Sequence, residues 1–242
     1  MDLELTQAEL AIYDEISRLA IGLWDASKNV SGLNTDPKMF SIMLYKRLWS
    51  NHRGFTILWN EGLLLEADIV LRSGIETAIC IAANFRTGAD FIQLLRRDAA
   101  HTLQGQIKLH RANGEHDLVK EGEETLRDLQ KRFGPGEKAE RLNWKSLADQ
   151  GQVPQLYDFH RMLSGVSAHV TGLSVLRSLA GEGADALRLH TKKMHLMMMA
   201  GATLQASMIH AGMIGDVSNV EAASELTDRL NAISLSWPGV KQ

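Results

Sequence analysis

Between Leu156 and Val170 the chain sets an aromatic hydroxyl, a guanidinium, a hydroxyl and an imidazole on successive turns of one helical stretch: Tyr157, Arg161, Ser164 and His169. Residues three and four apart stack on an α-helix. Tyr157, Arg161, Ser164, Gly165 and Ala168 therefore share a face with His169 at its edge, and Gly165, Ala168 and Gly172 leave a shallow floor. In such a hollow an imidazole, with an ordinary pKa of about 6.5, serves as a general base while a guanidinium stabilises an oxyanion or a phosphate. The plainer reading is a core histidine whose ring nitrogens are both satisfied. Hydrolysis by Ser164 activated by His169 is a weaker alternative, because the two project about 140° apart on a continuous helix.

A second constellation is Asp68, Arg72 and Glu76, which step by four along an otherwise apolar segment. Charges on an apolar stripe need partners. They either form a structural ion network that holds helix register, or Arg72 and Glu76 reach the Tyr157 face and orient His169. Metal chemistry finds no closed ligand set. Asp98-x-x-His101 resembles half of a carboxylate-bridged two-metal motif, but its second half is missing. The chain has no Cys-x-x-Cys pair, Gly-rich phosphate loop or Gly-x-Ser-x-Gly elbow. Neither a metal nor a cofactor is expected. Cys80, the lone cysteine, reads as a small buried hydrophobe.

The elements that position these residues read as helices throughout. Only four prolines occur, and no alternating strand-like run bounded by turns appears. Thr6 to Glu9 is a capping box that opens a helix to about Lys28. Asp36-Pro37 opens a second toward Asn60, and Gly62 breaks the chain. The third helix, about Leu63 to Phe85, is apolar nearly all round and is expected at the centre. Thr87 is a candidate cap for a fourth, which ends at Asn113-Gly114. Glu121 to Phe133 is amphipathic and closes at Gly134-Pro135-Gly136. A short helix over about Glu137 to Ala148 follows, then the Tyr157 helix from Pro154 to about Val170. Gly172 to Arg188 is ambiguous. Thr191 to Ile214 is a Met-rich helix and Asn219 to Leu235 a final amphipathic one. The expectation is an all-α bundle of eight or nine helices in a single domain, residues 1–242. Its core spans about 37–215, with helices 6–28 and 219–235 as additions.

The 242 residues are 45% hydrophobic and 23% charged with a net charge of -3, an ordinary globular composition without a global basic field. Local binding of an anion by a few arginines stays open. The start, Met-Asp-Leu-Glu-Leu, lacks a signal-peptide pattern, and a single cysteine suits a reducing cytoplasm. Glu66, Asp68, Arg72 and Glu76 interrupt the longest apolar run, so no membrane span is expected.

The segment Arg72-Ser-Gly-Ile-Glu76-Thr, followed about eighty residues later by Tyr157, Leu163-Ser164 and His169, resembles an uncharacterised, mostly bacterial all-helical family. That family is similar to the HEPN superfamily of helical bundles. The resemblance implies a HEPN-like core, a homodimer, and a metal-independent ribonuclease of toxin–antitoxin or defence systems. RNA or a nucleotide would be its ligand and an antitoxin or other protein its partner. It makes His169 and Arg161 the catalytic pair, with Arg72, Glu76, Tyr157 and Ser164 as binding or supporting residues. Seven residues lie between Arg161 and His169, more than in the ribonuclease members. The alternative pair is Arg96 and His101, with four between them on one helix; the plainer reading there is a solvated helix face. The alternative to catalysis is an interaction or small-ligand module using the Tyr157/His169 groove.

Overall fold

A computed structural model describes residues 5–30, 37–166 and 185–235, with side chains between them left undescribed at 166, 185–191 and 235. Among these residues the chain forms nine helices and no strand. They are α1 (Gln7–Ser27), α2 (Pro37–Asn60), α3 (Leu64–Thr87), α4 (Ala89–Ala112), α5 (His116–Gln130), α6 (Trp144–Gln150), α7 (Pro154–Val166), α8 (Asp185–Ile214) and α9 (Val217–Leu235). The all-α expectation is met. None of the described helices is long and apolar enough to cross a membrane.

The capping box forms as read. Thr6 Oγ1 accepts from Glu9 N–H at 3.2 Å, and Glu9 Oε2 accepts from Thr6 N–H at 2.6 Å. Glu9 is 2% exposed and also takes Lys193 of α8 at 3.1 Å. Burial alone would raise its pKa, but the Thr6 and Lys193 hydrogen bonds outweigh that and hold the carboxyl below the usual range.

Gly62 turns between α2 and α3 with φ +74°, and Gly114 between α4 and α5 with the same φ. Thr87 does not cap α4. It ends α3, its hydroxyl donating to Ala83 O at 2.9 Å, and Gly88 with φ +55° makes the corner. The expected helix over Glu137 to Ala148 forms only from Trp144. The residues before it are tied to α4 instead: Arg97 Nε donates to Lys138 O at 3.0 Å, and Leu142 N–H donates to Asp98 Oδ1 at 2.9 Å. Side chains that bond the backbone compete with helix formation. Asn143 then caps α6, its Oδ1 accepting from Ser146 N–H at 3.0 Å.

Central α3 packs against α2, α4, α6, α7 and α8, and its buried residues lie on every face, as its apolar periodicity demands. Helix α8 packs against α1, α2, α3 and α9. Its Met199 fits against Gly74, where an added Cβ would meet the methionine Cε at 3.0 Å. Met198 and Met199 are buried, as adaptable core methionines should be. Cys80 is buried among apolar neighbours, and burial pushes its thiol up to about 12, which keeps it unreactive.

Polar side chains also enter this core. His52 of α2 lies between Ser17 of α1 at 2.9 Å on Nε2 and Thr203 of α8 at 3.0 Å on Nδ1. His210 of α8 lies between Ser27 at 2.8 Å on Nε2 and Ser41 at 2.7 Å on Nδ1. Ser17 and Ser27 already donate to Tyr13 O and Leu23 O. Each therefore accepts from Nε2–H, which assigns both rings as neutral with the proton on Nε2. Tyr13 stacks on His52 and Tyr45 on His210, at ring separations of 5.1 and 4.4 Å. Burial pushes both imidazoles down to about 4.

Candidate functional site

The charged ladder of α3 divides between two partners. Asp68 turns to α8 and pairs with His195 Nδ1, both side chains being 5% exposed. Arg72 and Glu76 turn toward α7. Arg72 Nε donates to Glu76 Oε1 at 3.1 Å, the i,i+4 bond expected of the sequence. The same oxygen accepts from His160 Nε2 at 3.0 Å. One carboxylate oxygen thus orients a guanidinium from its own helix and an imidazole from the next.

His160 is missing from the sequence reading. It lies between Leu156 and Leu163 on the buried stripe of α7, with its side chain 8% exposed. That stripe was the available signal: a histidine four residues after one leucine and three before another faces the core, and Glu76 in an apolar helix needs an internal donor. Its Nδ1 is buried and has no hydrogen-bond partner among the described residues. With Nε2–H committed to Glu76, a neutral ring leaves Nδ1 as a bare lone pair, the form a general base requires. Arg72 and Glu76 are each 23% exposed, and among the described residues the two Nη groups of Arg72 form no hydrogen bond or ion pair.

Aromatic rings enclose the imidazole. The Tyr157 ring lies 6.0 Å from it at 21°, and the Trp144 ring of α6 lies 5.6 Å away at 41°. Trp144 is positioned by an unusually close contact between α6 and α3. At Gly151, just past the end of α6, an added Cβ would fall 2.8 Å from Ala82 Cβ and 3.0 Å from Ala83 N. Only a glycine lets the two helices approach this far.

Of the sequence-predicted residues, Arg72, Glu76 and Tyr157 meet here. Ser164 is half-buried one turn along, but its hydroxyl donates to His160 O at 2.7 Å and is committed to the helix backbone. Arg161 and Gly165 are exposed, and nothing lies within 4 Å of a Cβ added at Gly165. The buried side of α7 is thus the Leu156–His160–Leu163 side. His169, Ala168 and Gly172 lie outside the described residues. Arg96 and His101 are both half-buried on α4 and project about 140° apart. Among the described residues no group of His, Cys, Asp and Glu could hold a metal ion. No known protein family, no curated protein and no solved structure matches the chain.

Proposed function

We propose that this protein binds or acts on RNA or a nucleotide at the α3–α7 junction, with His160 and Arg72 as the chemically active pair and a HEPN-like bundle as their frame. The observation that carries this reading is the shared Glu76 oxygen, which orients both groups and leaves His160 Nδ1 and the Arg72 Nη groups uncommitted. In a cleavage step Nδ1 removes the proton of a ribose 2′-hydroxyl as that oxygen bonds to phosphorus. The bond to the 5′-oxygen breaks, the departing oxygen takes a proton from water, and Arg72 balances charge on the non-bridging oxygens. The resemblance adds the setting: a cytoplasmic, homodimeric defence or stress protein paired with an antitoxin or other protein. Within it, His169 and Arg161 remain the rival catalytic pair.

The test is cleavage of a labelled RNA with chelator present. His160→Gln keeps a donor for Glu76 but removes the base, and should lower the rate by about 10² or more, typical of a lost general base. Arg72→Lys should lower it as well, since a lysine cannot bridge Glu76 and phosphate in the same fork. Loss in His169→Ala or His101→Ala with full activity in His160→Gln would move the site elsewhere. A second reading, binding without turnover, is favoured by the burial of Nδ1. It predicts a nucleotide affinity that depends on Arg72 and an intact RNA after long incubation.

A further inference from the structure

Helix α2 contains no acidic residue in a chain where acids outnumber lysine and arginine, 29 to 26. Its inward positions Ser41, Tyr45, Leu48, His52, Phe55 and Trp59 are buried. The outward face carries Met43, Lys46, Arg47, Ser50, Arg53 and Ile57, all exposed. Among the described residues none of the three cations forms a salt bridge or hydrogen bond. From Lys46 to Arg53 they span about 10 Å of helix axis. An unneutralised row of this kind attracts a repeating anion, even on a protein of slightly negative charge.

The row runs beside the candidate site. Helices α2 and α3 are antiparallel neighbours, joined where Asn51 Nδ2 donates to Ser73 at 3.3 Å and to Thr77 at 3.4 Å, and where Gly54 meets Val70. By helical phase the outward positions of α2 and those of α3 around Ile69 and Ser73 face the same side. Arg72 and Glu76 flank that strip on its α7 edge. Arg47 lies close enough to α3 for its charge to be felt at Cys80, where that of Glu76 is felt too.

We propose that the outward face of α2 is the docking surface for the phosphodiester backbone of a single RNA strand, led by Lys46, Arg47 and Arg53 toward Arg72. This rests on the function proposed above and names the surface that delivers its substrate. No aromatic side chain lies on the outward face, so base stacking contributes nothing and binding is carried by phosphates with little sequence preference. An acidic lipid surface is the competing partner for a basic helix. It is disfavoured because the apolar face of α2 is buried in the core, and Met43 and Ile57, the two large apolar side chains on the outward face, stand about 20 Å apart along the helix and form no continuous face to insert.

The experiment is fluorescence anisotropy of a labelled twenty-nucleotide oligouridylate titrated with the full chain at several salt concentrations. Three phosphate contacts on a single strand predict a slope of log K against log salt of about -2, or about a 20-fold loss between 50 and 200 mM. The triple substitution K46Q/R47Q/R53Q lies wholly on exposed positions. It should keep the wild-type melting temperature, lose at least about tenfold in affinity at 50 mM, and flatten the slope by about 2. Wild-type affinity in the triple variant, or no binding by the wild type at 50 mM, overturns the proposal. Tighter capture by phosphatidylserine vesicles than by RNA, abolished in the triple variant, overturns it in favour of a membrane. Binding and cleavage read side by side separate the two claims. Binding by the wild type that the triple variant loses, with the RNA left intact by both, refutes the chemistry and leaves the docking surface, whereas wild-type cleavage that the triple substitution leaves unchanged does the reverse.

Discussion

His52 and His210 on one side of the bundle, and His160 on the other, are all buried, yet they are buried differently. The first two have both ring nitrogens bonded to hydroxyls from neighbouring helices and a tyrosine stacked on the ring. His160 has one nitrogen on a carboxylate that is itself partly exposed, and the other without a partner among the described residues. A buried polar group with all its bonds made is part of the scaffold, and one left open is a candidate for chemistry. The comparison therefore separates histidines that residue type alone cannot.

Acid should break it most strongly. In the folded chain His52 and His210 stay neutral down to about pH 4, whereas unfolded they take up protons near their ordinary value of 6.5. Between those values the unfolded state binds more protons, so stability rises with pH across the window. It is complete above 6.5 and lost as pH falls through about 4, at roughly 3 kcal/mol for each histidine. Urea unfolding at pH 7, 5.5 and 4.5 measures this; a flat profile would show that the two rings are not held neutral.

Truncation should come next. His210→Ala empties a site under Tyr45 and leaves the Ser41 and Ser27 hydroxyls without their imidazole, a loss of about 3 kcal/mol read as a lower urea midpoint. Glu76→Ala should cost less, about 1 to 2 kcal/mol, because the guanidinium it releases is partly in water. A loss above 4 kcal/mol would mean that Arg72 is far less solvated than its exposure indicates. The smallest effect belongs to His160→Gln. Its amide still donates to Glu76, so the unfolding free energy should change by less than about 1 kcal/mol while the cleavage rate falls by about 10² or more. If His160→Gln proves as destabilising as His210→Ala, the distinction between the two kinds of histidine fails.

Much of the fold is written in local signals. The centrality of α3 follows from apolar residues on all its faces, and its boundary from Gly62; the α4–α5 corner follows from Asn113-Gly114. The stretch before Trp144 misleads because its helical composition says nothing of Arg97 and Asp98, which bond its backbone from another helix. The site divides the same way. Arg72 and Glu76 stand out by their spacing, and Tyr157 by its place on α7. His160 does not, because attention to the polar face of α7 favours Arg161, which the structure leaves in solvent. Asp68 likewise looks like the first rung of a ladder with Arg72 and is answered instead by His195, a residue more than a hundred positions away.

The contact at Gly151 has a consequence for how this protein tolerates variation. Any side chain there would lever α6 away from the backbone of α3, and with it Trp144, the ring that lies against His160. A saturation screen for loss of function should therefore recover position 151 beside the chemically plausible positions, although its hydrogen atom touches no ligand. The same screen should pass over Arg229, whose exposed pair with Glu15 can be broken without moving any helix that borders the imidazole.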